Sequence, residues 1–275
     1  MIRAWFTSAV PDGLPAAALP VRAKLGLAGY AAIAIVVGAC GQPHAVPAVA
    51  SSQTHAPCVP LRAVALQDKS RSGLVNRTPQ LDTAQLAGVV RYVATCGGEI
   101  GLGLINRRSN APLVRLYVSE PPLAVTEPEL IGTGFDRRDT RRAYQHALDV
   151  YNAERSVWEH QTESAVRQFT TEAHQILGLP ADAPATDVWS AVGRARQFAL
   201  EPGYWHAAYR TVALIISDGQ DNARAQPVSL PANLELLVVN GNPVAETLDR
   251  LNPMKFEAID PAIRYMLRMN GHAQR

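Results

Sequence analysis

The stretches TVALIIS at residues 211–217 and LELLVVN at residues 234–240 decide the fold. Each is an almost unbroken run of apolar residues, rich in Val, Ile and Leu. Strands that helices cover on both faces of a parallel sheet lose the apolar–polar alternation of half-exposed strands. We therefore interpret both runs as central strands of a buried parallel sheet.

Strand-like and helix-like segments alternate around these two runs. The further strand candidates are residues 61–67, 99–105 and 113–118. The helix candidates are residues 79–95, 187–200 and 255–269. Alternation of this kind predicts an α/β fold, in which a doubly wound, mostly parallel sheet is flanked by helices.

Residues 137–177 interrupt the alternation. They contain neither glycine nor proline, and Gly178 and Pro180 end the pattern. Steps of four and three residues from Tyr144 meet mainly apolar side chains, which predicts a helix of roughly 60 Å at 1.5 Å per residue. We interpret this segment as a helical insertion at about residues 137–178. It either packs along its own domain, as one helix or as a bent hairpin, or projects as an arm that contacts a partner.

The N-terminus has the features of an export signal. The apolar run at residues 25–39 follows Arg22 and Lys24, and it is shorter than the ~20 residues that a membrane-spanning helix needs. The run ends in small residues directly before Cys40 and resembles a lipobox, in which the cysteine is lipidated and residues 1–39 are removed. A plain membrane anchor, or a buried helix that ends at a cysteine by chance, is the alternative.

Residues 40–57 are rich in Pro, Ala and Ser and have no repeat, which is typical of a flexible tether. Gly41 stands where an acidic residue would favour retention in the inner membrane, by the usual Gram-negative sorting pattern. We therefore expect a bacterial envelope protein that its lipid holds on the periplasmic side of the outer membrane. Residues 58–275 form the folded domain, including the insertion.

The three cysteines divide by position. With Cys40 lipidated, Cys58 and Cys96 are left as a pair in an oxidising compartment. Cys58 precedes the first predicted strand and Cys96 ends the first predicted helix, so both belong to the same end of a strand–helix unit. We predict a disulfide between them. Two unrelated buried thiols are the alternative.

Charge and motifs argue against several classes of function. Residues 1–39 carry three bases and one acid, so the rest of the chain is formally neutral, with 23 of each. The sequence has no cluster of Lys and Arg that would indicate nucleic-acid binding. The glycine pairs at 101/103 and 132/134 do not form a phosphate-binding loop, and no G-x-S-x-G nucleophile elbow occurs. The seven histidines lack the spacing of metal ligands.

Polar residues follow the predicted strands where open α/β sheets bind ligands, beyond the carboxyl ends. Asp68, Ser70 and Ser72 follow the first strand, Thr186 stands at the start of a helix, and Asp218 follows a later strand. This ordered set of Asp-x-Ser-x-Ser, Thr and Asp-Gly resembles the metal-ion-dependent adhesion site of von Willebrand factor type A domains. The resemblance extends from the first predicted strand to the last predicted helix, apart from the insertion.

The resemblance implies a divalent-cation site. It implies that Ser70 and Ser72 coordinate the ion directly, Thr186 directly or through water, and Asp68 and Asp218 mostly through water. Hydroxyl and carboxylate oxygens in this number suit Mg²⁺ or Mn²⁺ better than Ca²⁺.

The expected function is binding and not catalysis. We expect a lipid-anchored protein that contacts the membrane through its lipid only and holds a protein partner, whose acidic side chain completes the shell of the metal. Lys69 and Arg71 would weaken the cation unless they point away, where they could attract an acidic ligand. Two alternatives stay open: a scaffold of the same fold that acts through its long helix without a working metal site, and a metal-dependent hydrolase.

Overall fold

The computed structural model describes residues 59–202, 209–223, 226–240 and 246–271. The strands are β1 (Leu61–Asp68), β2 (Gly98–Ile105), β3 (Val114–Val118), β4 (Arg210–Ile216), β5 (Leu234–Val239) and β6 (Met254–Phe256). The helices are α1 (Arg71–Val75), α2 (Thr83–Cys96), α3 (Gly134–Leu177), α4 (Val188–Leu200), α5 (Glu246–Asp249) and α6 (Ile259–Gly271).

The strands form one sheet in the order β3-β2-β1-β4-β5-β6. β3 runs antiparallel to β2, and all other neighbours are parallel. Leu61 at the start of β1 lies opposite Gly98 of β2 and Arg210 of β4. The chain winds from β1 towards one edge of the sheet through β2 and β3, and towards the other edge through β4, β5 and β6. The predicted α/β fold, with a mostly parallel sheet between helices and a long helical insertion, is confirmed.

The central strands bury side chains on both faces of the sheet. In β1, Ala63 and Ala65 belong to the core shared with α2, α3 and α6, whereas Val64 and Leu66 belong to the core shared with α4. β4 alternates between the same two cores. This two-sided burial is the physical reason for the unbroken apolar runs in the sequence.

Two glycines of β2 allow α4 to pack closely on the sheet. A Cβ at Gly101 would crowd the side chain of Leu113 and the ring of Phe198, and a Cβ at Gly103 would overlap the guanidinium of Arg194. Arg194 is buried and donates hydrogen bonds to two backbone carbonyl oxygens, and burial lowers its pKa to about 10. The glycines therefore serve packing between α4 and β2.

A cluster of ion pairs closes the amino-terminal edge of the sheet. The buried Arg62 donates from Nε to Oε2 of Glu99 at 3.1 Å, and its Cζ lies 4.7 Å from the centroid of the Phe198 ring. Arg115 bridges Glu99 and Glu201, with N–O distances of 3.2 and 2.5 Å. Each buried charge thus has an opposite partner, as burial of charge requires. No local pattern in the sequence predicts this cluster.

The predicted long helix is α3, which runs for 44 residues. Its C-terminal part enters the core through Phe169, Ala173 and Leu177. None of residues 134–157 is buried, and Val157 is 57% exposed. The helix is continuous, so the bent hairpin is wrong. One half of the helix packs on the core and the other half leaves most of its surface uncovered.

Some boundaries differ from the prediction. α2 begins at Thr83, later than expected, because the Asp82 carboxylate accepts a hydrogen bond from the backbone N–H of Gln85 at 2.7 Å and caps the helix there. α1, α5 and β6 were not predicted. They have five, four and three residues, too few for a periodic pattern to appear.

The predicted signal at residues 1–39, the tether at residues 40–57 and the lipidation site Cys40 lie outside the described residues. None of the helices in the described part of the chain is both long and apolar enough to span a membrane.

The predicted disulfide joins Cys96 to Cys58, which lies outside the described residues. Cys96 is buried at the end of α2. One turn earlier, Tyr92 donates its hydroxyl hydrogen to the carbonyl oxygen of Val59 at 2.8 Å. The chain directly after Cys58 therefore lies beside the last turns of α2, and the disulfide stays a prediction.

Candidate metal centre

The predicted site lies where the winding of the sheet reverses. β1 and β4 are neighbours, but the chain continues from them towards opposite edges of the sheet. Asp68 is the last residue of β1, and Asp218 follows the end of β4 by two residues. Asp68, Ser70, Thr186 and Asp218 are buried and Ser72 is half-buried. The three segments that carry the predicted ligands meet at this carboxyl edge.

Both oxygens of the Asp68 carboxylate accept hydrogen bonds. Oδ1 accepts from the backbone N–H of Ser70 at 2.7 Å, and Oδ2 accepts from the hydroxyl of Ser217 at 2.6 Å. Burial raises the pKa of Asp68 and the nearby Asp218 carboxylate raises it further, against the hydrogen bonds from Ser217 and Ser70, which lower it. Asp68 is therefore held in one orientation. Burial disfavours its charged form, and a bound cation would favour that form.

Three hydroxyl oxygens form a row beside Asp68. Ser70 Oγ lies 3.0 Å from Ser72 Oγ, which lies 3.3 Å from Thr186 Oγ1. Ser70 is also the N-cap of α1, since its Oγ accepts from the backbone N–H of Gly73 at 3.1 Å. The cap fixes the start of α1 and keeps the two serines on the same side of the loop.

Thr186 joins this row because its neighbour caps the following helix. Asp187 accepts a hydrogen bond from the backbone N–H of Ser190 at 3.0 Å and is the N-cap of α4. Asn222 holds the backbone of Thr186 from the other side: its Oδ1 accepts from Thr186 N at 2.8 Å, and its own N–H donates to Thr186 O at 3.1 Å. The hydroxyl of Thr186 is thus available to face Ser72.

The Asp218 carboxylate is held from two directions. Oδ1 accepts from the backbone N–H of Gln220 at 3.0 Å, and Oδ2 accepts from the side-chain amide of Asn76 at 2.8 Å. Gly219 has a φ of 73°, a left-handed conformation that glycine adopts without strain. The turn after β4 and the end of α1 together orient Asp218.

The two cations of the first loop do not lie in the hydroxyl row. Lys69 is buried, and its Nζ donates to the carbonyl oxygen of Leu177 at 2.8 Å, at the end of α3. A cation is favourable there because unpaired carbonyl groups give a helix C-terminus partial negative charge. Arg71 is exposed. Backbone hydrogen bonds of Lys69 and Arg71 with Ala183 tie the loop to the segment that follows α3, at 3.0 and 2.9 Å.

Three residues that orient the predicted ligands were missed by the sequence analysis. Ser217 and Asn222 flank Asp218 within one short stretch, and their polarity so close to a predicted ligand was a usable signal. Asn76 had no such signal, because 142 residues separate it from Asp218.

The donors at this centre are oxygens, which suits a hard cation such as Mg²⁺ or Mn²⁺. The described residues contain no group of three or more His, Cys, Asp or Glu that could hold a metal. The predicted site contributes only two such residues, Asp68 and Asp218, and its other donors are hydroxyls. That finding therefore leaves this oxygen site untested.

The chain matches no protein-family model and no curated protein. The resemblance to von Willebrand factor type A domains accordingly rests on the site residues and their order in the chain, and the family stays a proposal.

Proposed function

We propose that this protein is a non-enzymatic binding module of the von Willebrand factor type A kind, which binds a protein partner through a divalent cation. The observation that carries the proposal is the meeting of Asp68, Ser70, Ser72, Thr186 and Asp218 where the winding of the sheet reverses. Doubly wound sheets bind their ligands in the crevice at this point.

The spacing of the hydroxyl oxygens supports a small octahedral cation. Ligands at adjacent corners of an octahedron with bonds of about 2.0–2.1 Å lie roughly 2.9 Å apart. Ser70 Oγ and Ser72 Oγ are 3.0 Å apart, and Ser72 Oγ and Thr186 Oγ1 are 3.3 Å apart. The first distance already matches this spacing, and the second exceeds it by only a few tenths of an ångström.

The charge of the donor set supports an acidic partner. The three hydroxyls are neutral, and the resemblance implies that both carboxylates contact the ion mostly through water. Both carboxylates also accept hydrogen bonds already, from Ser70, Ser217, Asn76 and Gln220. A divalent ion would therefore have little negative charge in direct contact. A carboxylate from the partner would supply the missing charge in the shell of the metal.

Thermal and denaturant unfolding of the full chain in nonionic detergent, with EDTA or with Mg²⁺, tests the metal site. Wild type should gain about 2.7 kcal/mol at a hundredfold excess of Mg²⁺ over its Kd. Asp218→Ala should gain nothing, and Ser72→Ala should gain less than wild type. Asp182→Ala is the matched control, because Asp182 is an exposed carboxylate at the same edge of the sheet. If millimolar Mg²⁺ and Mn²⁺ leave the stability of wild type unchanged, the proposal is contradicted.

A second candidate function is a scaffold that acts through α3. The observation in its favour is the uncovered half of the helix, where none of residues 134–157 is buried. Partner capture that survives Asp218→Ala and is lost when exposed residues of this half are changed to Glu would favour the scaffold.

The proposed setting is the outer membrane, with the domain held on the periplasmic side by a lipid on Cys40. The apolar run that ends at Cys40 and the tether after it support this setting. Cys40→Ala should lose acyl labelling and leave the membrane fraction, and unchanged labelling would refute the anchor.

A further inference from the structure

Four exposed arginines lie in two loops beside the metal centre. Arg71 and Arg77 stand at the two ends of α1, and Arg107 and Arg108 stand in the loop after β2. About thirty residues separate the two pairs in the chain. The parallel pairing of β1 and β2 brings both loops to the carboxyl edge of the sheet. We call these four residues the arginine rim.

Each pair of the rim lies within a few residues, or one hydrogen bond, of a predicted metal ligand. Arg71 lies between Ser70 and Ser72 in the chain. Arg77 follows Asn76, whose side-chain amide donates to Asp218 at 2.8 Å.

The second pair is attached in a similar way. Arg107 and Arg108 follow Asn106, whose carbonyl oxygen accepts a hydrogen bond from Asp187 N at 2.9 Å. Asp187 directly follows the predicted ligand Thr186, so the loop after β2 borders the centre on the side of α4.

The charge of the rim is not neutralised nearby. Within the described part of the chain, none of the four arginines forms an ion pair. The loops that frame the centre, at residues 69–82, 106–113, 178–187 and 217–223, expose only two acidic side chains. They are Asp82 and Asp182. Asp221 is half-buried, and Asp187 and Asp218 are buried. Among the exposed side chains of these loops, positive charge therefore exceeds negative charge.

Apolar side chains complete the surface between the first two arginines. Leu74 and Val75 of α1 are 61% and 74% exposed. Protein interfaces are enriched in arginine and in apolar groups near their centre, and are depleted in lysine. The combination fits a peptide segment better than a nucleic acid, whose phosphates would leave Leu74 and Val75 without apolar contacts.

We infer that the arginine rim makes the metal centre selective for an acidic segment of a protein partner, in which one carboxylate binds the cation and neighbouring carboxylates contact the rim. The inference rests on the proposed function for the metal-bound carboxylate, whereas the contacts to the rim arise from this chain's own loops. Reversal of rim charge should therefore reduce partner affinity without reducing metal affinity, because negative charge beside the centre favours the cation.

A fluorescent oligoglutamate peptide serves as the probe, with the full chain in nonionic detergent and saturating Mg²⁺. Fluorescence anisotropy gives the affinities of wild type, of Arg71→Glu with Arg77→Glu, and of Arg107→Glu with Arg108→Glu. The control is Arg91→Glu with Arg264→Glu, because both arginines are exposed on helices and unpaired with other described residues. Each rim pair should weaken binding about tenfold or more, and the control should stay within about twofold of wild type.

The outcomes separate this inference from the proposed function. Wild type that binds Mg²⁺ but not oligoglutamate, or rim variants that bind as well as the control, would overturn the rim and leave the metal site standing. Equal capture of a DNA oligonucleotide would overturn the selectivity for an acidic protein segment. Rim-dependent binding that is the same in EDTA would support the rim and contradict the metal-bridged function.

Discussion

Asp68 is the residue on which the chemistry of the centre depends most. It is fully buried, accepts hydrogen bonds from Ser70 and Ser217, and has its pKa raised by burial and by the carboxylate of Asp218. A metal ion needs the deprotonated carboxylate, whereas the metal-free folded protein holds the proton more tightly than an unfolded chain does. As pH rises, the contribution of Asp68 to the stability of the metal-free protein therefore decreases, whereas the affinity for metal increases.

This opposition predicts the behaviour of Asp68→Asn, which keeps the shape of the side chain and cannot titrate. Without metal, wild type should lose unfolding free energy relative to the variant as pH rises from about 4, the ordinary Asp pKa, through the raised pKa. A tenfold difference in proton affinity corresponds to about 1.4 kcal/mol. With Mg²⁺, only wild type should gain stability over the same rise. A difference between the two proteins that is constant with pH, measured by urea unfolding in EDTA, would contradict the raised pKa.

At the scale of elements, α4 and β2 are fitted to each other through Gly103 and Arg194. Gly103→Ala would drive a methyl group into the guanidinium, and such overpacking costs about 1–3 kcal/mol. Combining it with Arg194→Ala should cost less than the sum of the two single changes, because both act on one contact. Gly134→Ala is the control, since a Cβ there meets nothing within 4 Å. Additive losses in chemical denaturation would show that the two residues do not share the contact.

The two halves of α3 should differ in their contribution to stability. Phe169 is 1% exposed and lies in the core, so Phe169→Ala should cost about 3–5 kcal/mol. Val150 is 44% exposed on the uncovered half, so Val150→Ala should change stability by less than about 0.5 kcal/mol. Equilibrium unfolding of both variants measures the difference. Similar losses would mean that the N-terminal half is also covered in the folded protein.

At the scale of the whole molecule, the predicted disulfide would fasten the start of the domain to α2. Val59 already contacts α2 through the hydroxyl of Tyr92. A bond between Cys58 and Cys96 closes a long loop, and its reduction should lower the unfolding free energy by roughly 2–5 kcal/mol. Mass spectrometry without reductant should find the two cysteines in one linked peptide pair. Free alkylation of both thiols in the native protein would refute the bond.

The amino-acid sequence by itself determined the class of fold, the long helix and which residues are the candidate ligands. It could do so because burial on both faces of a sheet, helical periodicity and polar residues at strand ends are local patterns, each visible within a few residues of the chain. The runs at residues 211–217 and 234–240 can each be identified as a buried strand without reference to the rest of the chain.

Only the tertiary structure decided which distant groups act on those ligands. The bond from Asn76 to Asp218, the contact of Lys69 with the end of α3 and the placement of the Arg71 and Arg107 loops at one edge of the sheet all depend on strand order and register. A local pattern cannot encode such pairings, because they join segments from 30 to more than 100 residues apart in the chain. The charge around the centre is therefore a property of the folded sheet, even in a domain whose sequence is neutral.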